Sequence, residues 1–119
     1  MPVPALELDR LVRNALAHLY DYAYLQNHPL AAMVDAGGSL DQVTRAQRLR
    51  RLLLDCIEAL RSQEHADAPA EEAARTYSIL TYRYVDGVPI EEIAAKRALS
   101  ERQAYRELDK GVAAVARIL

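Results

Sequence analysis

Apolar residues recur at intervals of three and four along most of this chain, the spacing that lays one stripe along an α-helix. Leu8, Leu11, Val12, Ala15, Leu19 and Tyr22 follow it and predict a first helix from near Ala5 to Leu25. His28-Pro29 should close that helix, because the residue before a proline is pushed out of the α region. Pro29 can also open a short helical piece, Leu30 to Val34, ahead of an Ala36-Gly37-Gly38 loop. Ser39 with Gln42 three residues on reads as a capping box. It predicts a long helix from about Leu40 to Ser62, with Leu49, Leu52, Leu53, Cys56, Ile57 and Leu60 as its stripe. Arg45, Arg48, Arg51, Asp55 and Glu58 fall mostly on the other side. Ser62 to Pro69 is polar and aperiodic and reads as a linker. Pro69, Glu71 and Glu72 signal the next helix, with carboxylates at the positive end of its dipole. Ala73, Tyr77, Leu80 and Tyr84 would line one face of it, and Asp86-Gly87 would then turn the chain.

The last stretch, Pro89 to Leu119, carries two amphipathic segments only a few residues apart. Ile90, Ile93 and Ala94 give the first, roughly Ile90 to Arg97, one apolar face. Ser100 and Gln103 form a second capping box, and Ala104, Leu108, Val112 and Val115 continue from it as a single seam. A short helix, a tight turn and a longer capped helix is the helix-turn-helix pattern. At about 100° per residue, Arg102, Arg106, Lys110 and Arg117 lie opposite the seam, so a core-facing seam would turn a cationic stripe outward. Arginine suits such a face, because its planar fork can make two hydrogen bonds to one guanine edge.

No window alternates as a strand, and no repeat of solenoid length is present. The expected fold is therefore all-α: a compact bundle of five to six helices ending in a helix-turn-helix. A length of 119 residues suits a single domain. Residues 1–68 would supply the N-terminal helices and residues 69–119 the helix-turn-helix region.

Charge tempers the picture. The net charge is −2, and Val88 to Leu119 holds six cationic residues against five acidic ones. Glu101, Glu107 and Asp109 are interleaved with the arginines, so the stripe also reads as an ordinary solvated face. Arg45, Arg48, Arg50, Arg51 and Arg61 load the middle helix with positive charge, which reads either as a further phosphate-contacting surface or, slightly favoured, as pairing with Glu71 and Glu72. There is no apolar run near the roughly 18 residues of a membrane span, so no membrane partner is expected. The start, MPVPALELDR, lacks the pattern of a secretory signal. Together with the lone Cys56, it leads to the expectation of a cytoplasmic protein.

No catalytic constellation emerges, and no enzyme activity, metal or cofactor is expected. His18, His28 and His65 have no metal-ligand spacing. His18 and Tyr22, one turn apart, read as a hydrogen-bonded surface pair. Cys56 reads as a small buried hydrophobe. Tyr20, Tyr22 and Tyr24 around Asp21 read as core and rim packing rather than a ligand box. Gly37-Gly38 lacks the flanking pattern of a phosphate loop.

The stretch YVDGVPIEEIAAKRALSERQAYREL, within Tyr82 to Leu108, resembles the promoter-reading C-terminal domain of bacterial sigma factors. It is also similar to the LuxR-type domain of response regulators. Glu92, Ile93, Ala94, Ser100, Ala104 and Leu108 carry the match. The resemblance implies that Ser100, Arg102, Gln103, Tyr105 and Arg106 occupy DNA-facing positions, with Lys110 one turn further on the same stripe. Arg97-Ala98 stands where those families usually have Leu-Gly, and Pro89 where a Ser or Thr cap is common. Ala98 is poorer than glycine if that backbone must adopt positive φ. The N-terminal part, LVRNALAHLYDYAYLQNHPLA followed by RAQRLRRLLLDCIEALR, is similar to a helical module at the N-terminus of multidomain bacterial signalling proteins. The ending at Leu119, inside a helical pattern, fits a segment of a longer protein.

Two functions follow as expectations. One is a transcription-regulating module that binds duplex DNA through the final helix. The other is a protein–protein interaction or signal-input module, self-associating or partnered, that keeps the fold without the DNA contact.

Overall fold

The computed structural model describes residues 5–35, 37–62 and 70–119, with side chains for 7–35, 37–61 and 74–119. The predicted linker after Ser62, the Pro69 start signal, the Glu71 and Glu72 carboxylates and Ala36 lie outside these described residues. Among them the chain is all-helical and has no strand. Its α-helices are α1 (Ala5–Ala17), α2 (Tyr22–Leu25), α3 (Ala31–Val34), α4 (Gln42–Ser62), α5 (Ala70–Leu80), α6 (Ile90–Lys96) and α7 (Glu101–Ile118). A π-helical turn, Thr81–Val85, continues α5. No described helix is long and apolar enough to cross a membrane. The chain groups into two compact units, Met1–Asp55 and Cys56–Leu119.

In the first unit the predicted single helix to Leu25 is broken. The His18 ring nitrogen Nδ1 bonds the Asn14 carbonyl at 2.9 Å, the acceptor that the next helical amide would have used. The His18 and Leu19 amides fall back on Ala15 and Leu16, three residues earlier. Asp21 then starts α2 afresh, its Oδ1 accepting from the Tyr24 amide at 3.1 Å. The expected His18–Tyr22 pair is replaced by His18 stacked on Tyr24, ring centroids 3.7 Å apart. Tyr22 instead accepts from Arg50 Nη1 at 2.6 Å. Val12, Ala15, Leu16, Leu19, Leu25, Leu30, Ala31, Ala46, Leu49 and Leu53 are the unit's buried apolar residues.

The start of α4 also differs from expectation. Asp41, not Ser39, caps it: Asp41 Oδ1 accepts from the Thr44 amide at 2.8 Å and Oδ2 from the Thr44 hydroxyl at 3.1 Å. Those bonds hold the Asp41 carboxyl below its ordinary pKa. Ser39 contributes its backbone amide to Asp35 Oδ1 at 3.0 Å. Asp35 is buried and also takes the Leu40 amide and Arg45 Nε. Arg45 is paired with Asp35, 3.0 Å from its carboxylate. Burial would raise the Asp35 carboxyl. The Leu40 amide, the Arg45 side chain and the Ser39 amide outweigh it and hold it below its ordinary value.

In the second unit the apolar stripes read from the sequence lie inside. Cys56, Ile57 and Leu60 of α4 are buried, as are Leu80 and Tyr84; Tyr77 is only half-buried, Ile79, which was not on the expected stripe, is buried, and the Ala73 side chain lies outside the described residues. Helix α7 packs on α5 and α6. Where it meets α5, Gly111 lies so close to Leu80 that a Cβ there would sit 2.8 Å from Leu80 Cγ. The Asp86 amide reaches back five residues to the Thr81 carbonyl at 2.9 Å and closes the π turn. Gly87, at φ +73°, then swings the chain to Pro89, whose carbonyl accepts from Glu92 and Ile93 to begin α6.

Candidate nucleic-acid interface

The geometry of α7 begins with the turn before it. The Leu99 amide bonds the Ala94 carbonyl at 2.9 Å and the Ala98 amide bonds Ala95 at 3.4 Å. This is the paired closure of a Schellman motif, and it requires the residue between to be left-handed. Ala98 holds that position at φ +55°. Glycine usually fills it, because a Cβ strains this conformation.

Ser100 then caps α7 as its sequence predicts. Its hydroxyl oxygen accepts from the Gln103 amide at 3.1 Å, and the Gln103 side-chain oxygen accepts from the Ser100 amide at 3.0 Å. The reciprocal bonds fix the first turn. Ala104, Leu108, Val112, Val115 and Ala116 are buried along one side. Each large apolar side chain buried there contributes on the order of 1.5–3 kcal/mol, so the seam rather than the cap sets the helix rotation.

That rotation decides what faces out. Ser100, Arg102, Gln103, Tyr105, Arg106, Lys110 and Arg117 are all exposed, and Tyr105 keeps 52% of its surface. Arg102, Arg106 and Arg117 make no ion pair or hydrogen bond with any described residue. Lys110 is different: its Nζ stands 3.8 Å from Glu107 Oε1, which partly neutralises it. Ser100 and Gln103 have committed one acceptor each to the capping box. The hydroxyl hydrogen and the amide nitrogen remain for an external acceptor. In the N-terminal turns of α7 the exposed cations without a described ion pair are Arg102 and Arg106, with Tyr105 on their flank.

Arg97 departs from the surface role that its charge suggests. It is half-buried at the C-terminus of α6, its guanidinium 5.7 Å from the centre of the Tyr82 ring. Its Nε is buried without a hydrogen-bond partner. Arg75, on α5, is exposed. Periodicity singled out neither residue for a site, since both are irregular in a helical pattern. The Arg-Ala departure from Leu-Gly was the one signal at Arg97.

Compared with protein-family models, with curated proteins and with solved structures, the chain finds no match.

Proposed function

We propose that this chain is a regulatory module that binds duplex DNA through a helix-turn-helix formed by α6, the 97–100 turn and α7. The observation that carries the reading is the exposed Arg102–Tyr105–Arg106 face on a helix whose opposite side is a buried seam. A helix held in this way can enter a major groove with its N-terminal turns leading, where two unpaired guanidinium groups reach phosphates or guanine edges. The similarity of Tyr82 to Leu108 to promoter-reading and LuxR-type domains points the same way. The module would act in the cytoplasm of a bacterium.

The test is fluorescence anisotropy with a labelled duplex of mixed sequence, over a range of salt. Binding should tighten steeply as salt falls. Arg106→Ala should weaken binding by about 1–3 kcal/mol if Arg106 contacts a base. No binding to any duplex at low salt would end this reading.

A second reading has its own support. Lys110 is tied to Glu107, and Glu101 and Asp109 are exposed beside the arginines, so the face offers phosphate a mixed potential. Under this reading the module contacts a protein or a second copy of itself. Met33 and Val43, exposed on the first unit, would lie in that contact. Light scattering separates the two: concentration-dependent association that Arg106→Ala leaves unchanged favours the second.

A further inference from the structure

Beneath the 97–100 turn lies a cleft of about 160 Å³, lined by Arg75, Ile79, Arg97, Leu99 and Glu107. All five belong to the second unit, from α5, the end of α6, the turn and α7. Its chemistry is unusual for a surface dent. Two guanidinium groups line it, and neither is within ion-pair distance of any described carboxylate. Among the described residues the carboxylate in the cleft is Glu107, which lies 3.8 Å from Lys110. Arg97 is half-buried, its Nε is enclosed without a partner among the described residues, and its guanidinium lies 5.7 Å from the centre of the Tyr82 ring. Ile79, which is fully buried, and the half-buried Leu99 add apolar wall.

We propose that this cleft is a binding site for a small oxyanion carried on a short apolar body, such as a branched short-chain carboxylate. The oxyanion sits between Arg75 and Arg97, where a planar carboxylate matches the fork of a guanidinium. The hydrocarbon part lies against Ile79 and Leu99. The cleft itself holds only a handful of non-hydrogen atoms. Glu107 disfavours a second negative group, so a monoanion fits better than a dianion. The proposal stands apart from DNA binding, because none of Arg102, Tyr105 and Arg106 lines the cleft.

The experiment is a methyl-detected NMR titration of the whole chain with isobutyrate, alongside inorganic phosphate and sodium chloride at matched ionic strength. Isobutyrate should shift the Ile79 and Leu99 methyl signals along a saturating curve, with a midpoint of about 1 mM as befits so small a ligand. Arg75→Gln should weaken the binding by about tenfold or more. Arg75 is exposed, so this variant should keep the fold, which an unchanged spectrum elsewhere verifies. Arg97→Gln should do the same or more. Absence of saturable shifts with isobutyrate, or shifts that survive both variants, would overturn the site. Phosphate binding as tightly as isobutyrate would overturn the assignment of an apolar-bodied monoanion.

Discussion

Ser39-Leu40-Asp41-Gln42 and Ser100-Glu101-Arg102-Gln103 carry the same Ser-x-x-Gln signature, but the two helix starts are built differently. At Ser100 both reciprocal bonds of the capping box form. At Ser39 neither hydroxyl nor glutamine is used that way: Asp41 caps α4, and Asp35 takes the Ser39 amide. A carboxylate is a stronger acceptor than a hydroxyl, and two of them compete within reach of the first signature. The second has no such competitor between its serine and glutamine, since Glu101 points outward as an exposed first-turn residue. A local motif therefore decides a helix start where no better acceptor is near. Elsewhere the surrounding side chains decide it.

The comparison can be broken most severely at the seam that keeps α7 in place after its cap. Gly111→Val puts branched carbon where even a Cβ meets Leu80 at 2.8 Å. Leu80 is fully buried and has little room to yield, so the loss should be about 3 kcal/mol in a urea unfolding series. An unchanged midpoint would mean that the α5–α7 contact does not hold the second unit together.

Next in size is the pair of serines themselves. Ser100→Ala should cost about 1 kcal/mol, the usual loss for a working N-cap. Ser39→Ala should stay within about 0.5 kcal/mol, as for an exposed position without a special role. Equal losses at the two sites would erase the distinction drawn between them.

A smaller effect, with the opposite sign, is expected at the turn. Ala98→Gly should raise stability by about 0.5–1 kcal/mol. It removes the strain of a left-handed alanine, partly offset by the entropy of a more flexible unfolded chain. If thermal melting shows a loss instead, the Schellman closure before α7 does not form in solution.

The least dramatic change should appear with acid, in the first unit. Burial, assisted by the charge of nearby His18, lowers the pKa of His28 from its ordinary 6.5. In the folded chain His28 Nδ1 accepts from the Leu30 amide at 3.1 Å and must be unprotonated to do so. The unfolded chain therefore takes up the proton first as pH falls. The stability contributed by neutral His28 is present above pH 6.5 and is lost below it. Asp35, whose pKa is lowered from 3.8, keeps its contribution until the pH falls beneath that value. Urea midpoints should thus decline in two stages, and His28→Gln should remove the upper one. A single stage in the native chain would contradict the separate roles of the two residues.

Much of the second unit was legible beforehand. The seam of α7, the buried face of α6 and the Ser100 cap all emerged from spacing alone, because a helix repeats its buried face at a fixed interval. The outward position of Arg102 and Arg106 followed from the same geometry. The first unit was less legible. Its helix breaks at His18 because a ring nitrogen captures one carbonyl, and an apolar repeat carries no trace of that event. Gly111 escaped notice because a glycine inside a helical pattern shows its purpose only once Leu80 of another helix lies against it.

By itself, then, the amino-acid order determined that this protein is helical, which side of each long helix is greasy, and where the last helix begins. Those properties depend on neighbours three or four residues away. Only the tertiary structure decided that Asp35 would claim Arg45, and that Arg75 and Arg97 would line one cleft beside Glu107. Each of these depends on groups brought together from separate helices or loops, where competition for a hydrogen bond or a charge is settled by distance in space rather than along the chain.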